Sequence, residues 1–457
     1  MSERNQLEQL KTSAFDRRFS LAKASFLAGT RWATANASSL FGDQSSREQK
    51  RKQALSQQAQ YLVDEIGKLK GSVVKIGQMM ALYGEHFLPD EITQALMTLN
   101  DSTVALSWQS IEPYIKQQLG DKFHELNIEQ QPLGTASLAQ VHRAVRKSDG
   151  KVLVLKVQYP GVAEAIDSDM NLFRSMMKLT RAVPQTREFD DWYEEVRQMM
   201  HREVDYAIEA TTTKRFAEYL ADDPRYIVPT IIDEYCTDRI LCMTFEHGVP
   251  IHSPAILKLS QQRRDALGEA ALNIPLKEIF EWGEMQTDPN FGNYLVRLGN
   301  GQDVLDQIVL LDFGAIRQFD DHLLAMAHRL IYAGYLHSMD RMLDAMDGYN
   351  FFDDMPRSIR PDMAKVFLLT TEAFSCPENN PDMPVGIMDE QYRYDWLASN
   401  LHDRIIKHAG QSMASRYFSV PPKEFMFISR KFIGAYTFMT VINAKTNVRK
   451  MVEPYFP

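Results

Sequence analysis

Residues 284–296 read EMQTDPNFGNYLV, and residues 308–319 read IVLLDFGAIRQF. Asp288 is followed five residues later by Asn293, inside a turn that holds Pro289, Asn290 and Gly292, and an apolar run then begins. Asp312 closes a second apolar run and is followed by Phe313 and Gly314. Two turns, each bordering a strand-like segment, thus carry two carboxylates and one amide. Carboxylate and amide oxygens are donors that hard cations take, and a spare carboxylate can accept a proton.

Upstream, residues 132–161 read PLGTASLAQVHRAVRKSDGKVLVLKVQYPG. They hold β-rich runs at 138–146 and 152–158, joined by Ser148, Asp149 and Gly150, which is a hairpin signal. Lys156 lies in the second run among apolar neighbours, so if buried it needs an anionic partner. Helical patterns follow at 162–182 and 190–219. The second contains Glu203, Asp205 and Glu209. Asp205 and Glu209 are four apart and share a face, whereas Glu203 points elsewhere. Val204, Ile208 and Phe216 mark its buried side. Taken alone, Lys156 reads as an edge-strand lysine, and the acidic row fits a solvated face as well as a set of partners for cations. Residues 226–248 predict two more strands around a turn at Thr237 and Asp238. From Pro254 onward the chain reads as mostly helical, interrupted by strand-like pieces at 293–297 and 306–312.

The first 130 residues also read as mostly helix. Leu62, Ile66, Leu69, Val73, Ile76 and Met80 recur at steps of three and four, and Leu88-Pro89 ends that helix. Further helices are predicted at 90–99 and 108–119. Residues 11–42 interleave Phe15, Phe19, Phe26 and Trp32 with Arg17, Arg18, Lys23 and Arg31. A basic helix with aromatic side chains can lie on an anionic membrane surface, or simply dock on the body of the protein.

The 457 residues are too many for one core. A net charge of −9 argues against nucleic acid as a partner. Three cysteines without a CxxC pair indicate neither a disulfide framework nor a zinc site. The most apolar stretch, residues 425–444, carries Arg430 and Lys431 in its middle, so it predicts a buried helix rather than a membrane span. The opening MSERNQLEQL is charged from its third residue and does not read as a secretory signal.

Phosphoryl transfer needs one carboxylate at the acceptor or water, and two oxygen ligands that hold Mg²⁺ against the phosphates. In protein kinases these come from H-R-D-x-x-x-x-N and D-F-G. Asp288, Asn293 and Asp312 keep that order and spacing, after a strand lysine and an acidic helix. The departures are equally informative. A single glycine, Gly134, stands where a glycine-rich loop has three, with Thr135, Ala136 and Ser137 filling the loop. Gln286 and Thr287 replace the His-Arg pair. After Asp312 the first Ser, Thr or Tyr is Tyr332, and there is no A-P-E, so a phosphorylated loop that docks a protein substrate is absent.

These residues resemble the UbiB (ABC1/AarF) atypical kinase-like family, from about residue 60 to the C-terminus. KIGQ at Lys75–Gln78 is similar to the family's KxGQ motif. PLGTASLAQVHRA resembles its alanine-rich loop, EVDYAIEA its ExD motif and helix glutamate, and MQTDPNFGNYLV with LLDFGAIRQF its catalytic and metal segments. They are closest to the coenzyme-Q branch. The resemblance implies an α+β, two-lobed protein-kinase-like fold with a mostly helical C-lobe. The implied divisions are an amphipathic and linker segment at 1–58, a helical KxGQ extension at 59–130, an N-lobe at 131–249 and a C-lobe at 250–457. It implies ATP and Mg²⁺ as ligands. Lys156 contacts phosphate and pairs with Glu209. Asp288 is the catalytic carboxylate, and Asn293 and Asp312 hold the metal. Gly134, Thr135, Ala136, Ser137 and Met243 line the nucleotide. Lys75 and Gln78 share a helix face, Glu203 is the partner of Lys75, and Asp205 completes the ExD motif. Two positions depart from the family: Gly134, where many members have alanine, and Thr244, where a glutamate is usual. The implied function is an ATPase that supports ubiquinone (isoprenoid quinone) biosynthesis in the cytoplasm. Peripheral contact with the inner face of a membrane and with quinone-biosynthesis proteins goes with it. A small-molecule or lipid kinase, and a non-enzymatic scaffold switched by nucleotide, are the competing readings.

Overall fold

The computed structural model describes residues 72–83, 90–98, 105–179, 187–288, 290–300, 304–349, 356–413 and 423–457. Segment 11–42 and the first part of the helix predicted from Tyr61 lie outside the described residues. Two compact units make up the chain. One comprises Met1–Thr211 with Thr230–Phe245, the other Thr212–Pro229 with Glu246–Pro457.

The first six strands in chain order are β1 Leu126–Ile128, β2 Gly134–Thr135, β3 Ala139–Arg146, β4 Val152–Gln158, β5 Tyr226–Ile227 and β6 Ile240–Thr244. All but β5 form one antiparallel sheet in the first unit, in the order β1-β3-β4-β6 with β2 on β3. The β3–β4 hairpin closes at Gly150, whose φ of +72° is a conformation that costs glycine little. Side chains alternate across a strand. Leu153, Leu155 and Val157 of β4 are therefore fully buried on one face, and Val154 and Lys156 stand on the other. The first face is packed in one core with α1 Ser72–Tyr83, α2 Asp90–Met97, α3 Trp108–Leu119, α4 Val162–Leu179 and α5 Arg187–Glu203. Val73, Ile76, Ile111, Phe173 and Val196 supply the helical side of that core.

The pattern at 190–219 predicts one helix, but the structure has two, α5 and α6 Tyr206–Tyr219. Asp205 makes the break. Its Oδ1 accepts from the backbone N–H groups of Ala207 and Ile208 at 3.1 and 3.0 Å, which caps the start of α6. The apolar count therefore does not carry across. Val204 and Phe216 are buried as expected, whereas Ile208 is 46% exposed. Of the two strands expected around Thr237, only β6 borders the turn; the other strand of that segment, β5, ends at Ile227 and belongs to a different sheet. Residues Asp233–Tyr235 wind into a single 3-10 turn, and Ile231 and Thr237 make only isolated bridges to Met243 and Ile240.

In the second unit, β5 pairs in parallel with β9 Gln307–Leu310, and β8 Tyr294–Arg297 pairs antiparallel on its other side. A separate ribbon joins β7 Glu284–Gln286 to β10 Ile316–Gln318. Around them lie helices α7 Pro254–Leu257, α8 Gln261–Lys277, α9 Asp321–Tyr335, α10 Met339–Asp347, α11 Arg360–Thr370, α12 Leu401–Met413, α13 Lys423–Val441 and α14 Val448–Val452, with a short ribbon of Tyr394–Asp395 and Lys445–Thr446. Helix α13 is the apolar stretch of the sequence. Lys431 in its middle is buried and paired with Glu278. Among the described residues no helix is long and apolar enough to cross a membrane.

Candidate functional site

The first unit places Lys156 opposite Val141 on β3 and Leu241 on β6. Its Nζ donates to both carboxylate oxygens of Glu209, at 2.7 and 2.9 Å, and lies 5.4 Å from the Tyr206 ring centre. Glu209 follows the Asp205 cap by one helical turn, so the cap fixes where this carboxylate is presented. The Glu209 side chain is only 3% exposed, so the ammonium is the cation that makes its burial tolerable. Met243 sits opposite Val154 in register. Directly opposed residues share a face, so Met243 and Lys156 lie on the same side of the sheet. Strand β2 carries Gly134 and Thr135. The turn after it is closed by the Ala136 N–H donating to Ala139 O at 2.8 Å, with Ser137 buried. Thr244 Oγ1 accepts from Thr230 N–H at 3.0 Å.

Lys75 and Gln78 lie one turn apart on α1, both half-buried. Lys75 Nζ is 2.9 Å from Glu203 Oε1, at the end of α5. Glu203 and Glu209 thus meet different lysines, because the Asp205 break sends them in different directions. Helix α1 is further tied down by Ser72 Oγ, which donates to the Asp169 carboxylate of α4.

The second unit brings Asp288 and Asn293 together. Asn293 Nδ2 donates to Asp288 Oδ2 at 3.1 Å, and Asp288 Oδ1 accepts from Asn290 N–H at 3.2 Å. Asp312 Oδ1 accepts from Gly314 N–H at 2.9 Å. One side chain ties the two turns together. Gln286 Oε1 accepts from Asp288 N–H at 2.9 Å while its Nε2 donates to Asp312 O at 2.9 Å. Thr287 reinforces this, its N–H and Oγ1 both donating to Ala315 O at 2.9 Å. The sequence marked Gln286 and Thr287 only as replacements, and nothing in their own neighbourhood signals this bridging.

Below the turn, Glu278 Oε1 accepts from Gln286 N–H and from Lys431 Nζ, each at 3.0 Å. Burial pushes the Glu278 carboxyl up, and the Lys431 charge pulls against it. At the other end of β7, Arg215 grips Glu284 with two hydrogen bonds of 2.6 Å, and Tyr219 O–H donates to the same carboxylate at 2.9 Å. Such bidentate pairing fixes direction as well as position. Phe313 is buried 4.9 Å from the Phe216 ring.

The donor set suits magnesium. With Asn293 Nδ2 bonded to the Asp288 carboxylate, the Asn293 amide oxygen and the Asp312 carboxylate are hard oxygen donors of the kind magnesium takes. Among the described residues no group of three or more His, Cys, Asp or Glu could hold a metal alone. An Asp–Asn pair needs phosphate oxygens and water to complete a magnesium shell.

Fold and residues together define a protein-kinase-like molecule of the atypical kind. Residues 98–346, more than half of the chain, match the family model for the ABC1 atypical kinase-like domain, and the chain belongs to that family. It is 28% identical over 400 residues to the mitochondrial atypical kinase COQ8B of Danio rerio, covering 86% of this chain and 60% of that protein. With the mitochondrial atypical kinase COQ8 of Saccharomyces cerevisiae it shares 29% over 409 residues, covering 86% of this chain and 75% of the relative. Among solved structures, Rv3197 of Mycobacterium tuberculosis, determined with erythromycin, superposes with a TM-score of 0.57 at 20% identity. That match covers 86% of this chain and 93% of the other, and at such identity it speaks for the fold alone.

Proposed function

We propose that this chain binds ATP with Mg²⁺ and cleaves the γ-phosphoryl bond in support of isoprenoid quinone (ubiquinone) biosynthesis. The observation that carries the reading is the Gln286 bridge, which holds the Asp288 and Asp312 turns in one arrangement. Kinship with the COQ8-type atypical kinases supports the placement in quinone biosynthesis.

In this reading Lys156, oriented by Glu209, neutralises the α/β-phosphates. The Gly134–Ser137 loop and Met243 contact the nucleotide. Asn293 and Asp312 would hold Mg²⁺, which when bound offsets negative charge on the phosphate oxygens. Asp288 accepts a proton from the attacking water. The water oxygen bonds to the γ-phosphorus, and the bond to the β–γ bridging oxygen breaks. ADP leaves with the electron pair, and phosphate is released.

The test is phosphate release from ATP by the full chain with magnesium. Asp288→Asn is expected to lower turnover by about a hundredfold or more while nucleotide still binds. Lys156→Ala is expected to weaken nucleotide binding itself. Unchanged turnover in Asp288→Asn would sink the reading. Label appearing in a lipid extract, with γ-labelled ATP, would move the acceptor from water to lipid.

A further inference from the structure

A cavity of about 230 Å³ lies in the second unit among α9, α10, α11, α12 and α13, and none of the proposed phosphoryl-transfer residues lines it. Leu330, Met342, Phe374 and Phe432 are buried in its wall. Five of its residues are half-exposed, Thr371 beyond the end of α11 and four that mark the open side. Val366 and Thr370 are one turn apart on α11, and Ser429 and Ile433 are one turn apart on α13.

Three of the four hydroxyls in the wall, those of Thr370, Thr371 and Tyr436, are turned onto backbone. Thr370 Oγ1 and Thr371 Oγ1 donate to Phe367 O at 2.7 and 2.9 Å, and Tyr436 O–H donates to Thr370 O at 3.0 Å. An occupant therefore meets carbon almost everywhere inside. Protein interiors are close-packed, so an apolar void of this size is a sizeable loss of contact. An apolar cavity of roughly 150 Å³ stays dry and takes up benzene. In proportion, this larger one suits a hydrocarbon of roughly eight to ten carbons.

We propose that the cavity binds the hydrocarbon tail of an amphipathic molecule. The tail enters between α11 and α13, and the polar head stays outside beside Thr370 and Ser429. Interior walls without a free-standing polar partner select against heads and for tails, and the polar pair at the open side suits the junction of the two. An unbranched acyl chain and a methyl-branched prenyl chain present the same chemistry to these walls. The inference does not rest on the proposed phosphoryl transfer.

The experiment is photolabelling of the full chain with two ten-carbon probes, each with a terminal diazirine: decanoic acid and a geraniol analogue. Label is expected on α11 and α13, around Phe367, Phe374 and Phe432. It should saturate below the micellar concentration and be competed by the unlabelled parent. Labelling by the decanoate alone assigns an acyl tail, and by the geranyl probe alone a prenyl tail; labelling by both shows a site open to either. Ser429→Trp adds bulk at the half-exposed entrance and is expected to cut labelling by about tenfold while nucleotide binding stays unchanged. Labelling elsewhere, labelling that neither saturates nor competes, or Ser429→Trp labelled like the unsubstituted protein overturns the proposal. Loss of ATP turnover alone would bear on the phosphoryl-transfer reading and not on this one.

Discussion

Lys431 and Glu278 form an ion pair of 3.0 Å whose two side chains are shut away from water, 153 residues apart in the chain. The ammonium that interrupts an apolar helix is thus the partner of a carboxylate that also holds the Gln286 N–H. Gln286 in turn spans Asp288 and Asp312. A helix near the C-terminus therefore reaches the candidate catalytic turn through two side chains.

Lys431→Met should be strongly destabilising, because it leaves a buried carboxylate without its cation. A cost of about 3–5 kcal/mol is expected for breaking such a pair from one side. The double variant Lys431→Met, Glu278→Gln removes both charges and should recover much of that loss. Urea denaturation of the three proteins measures it. A double variant no more stable than the single one would show that packing, not charge, sets the cost.

The two lysine–glutamate pairs of the first unit should behave differently. Glu209 is 3% exposed beside Lys156, whereas the Lys75 and Glu203 side chains are 19% and 30% exposed. Lys156→Ala strands a buried carboxylate and should cost about 3 kcal/mol, near the lower end for buried pairs because the lysine keeps some solvent. Lys75→Ala breaks a pair that water already screens, and should cost less than about 1 kcal/mol. Equal losses in chemical denaturation would contradict this ordering.

How much of this was legible in the chain depends on the range of the interaction that decides it. Alternation and the Ser148–Gly150 turn mark the β3–β4 hairpin to within a residue, because register and turn are local. The α5–α6 break was missed because Asp205 reads equally as an acid on a helix face or as a cap, and only the side chain's bond to backbone chooses. Residues 233–235 defeat the strand pattern in the same local way, by winding into one 3-10 turn. Asp288, Asn293 and Asp312 could be picked out by spacing. Gln286 could not, since its acceptor, Asp312 O, lies 26 residues on. The Lys75–Glu203 pair is expected only from the family resemblance, because nothing in the chain around Lys75 names a partner so far along it.

His142 should give the first unit an acid-sensitive stability. It is fully buried, with Nδ1–H donating to Glu129 O at 2.8 Å. That leaves Nε2 to accept from Gln140 Nε2 at 2.7 Å, while Gln140 Oε1 accepts from Leu106 N–H at 2.9 Å. The relay works only with a neutral imidazole. Burial holds the folded-state pKa below the ordinary histidine value, with the Glu129 carbonyl opposing. Below the unfolded histidine pKa, about 6.5, the unfolded chain takes up a proton that the folded one refuses, so stability falls as pH falls through that value. Thermal melts across that window should show the slope, and His142→Gln should flatten it. An equal slope in both proteins would assign the acid sensitivity to other groups.

Gly134→Ala separates folding from ligand binding at the departure from the family's alanine-rich loop. Gly134 pairs with Val141 in β2, and a Cβ added there meets nothing within 4 Å. Its φ is not among the positive glycine values of the structure, so alanine can take the same backbone conformation. The substitution removes freedom mainly from the unfolded chain and should raise stability by about 0.4–1 kcal/mol. A higher melting temperature together with an altered ATP affinity would locate the effect at the nucleotide, where a methyl group and a stiffer loop meet the phosphates. A lower melting temperature would instead mean that the loop needs a conformation only glycine reaches, and that the strand pairing of Gly134 with Val141 is not the state that matters.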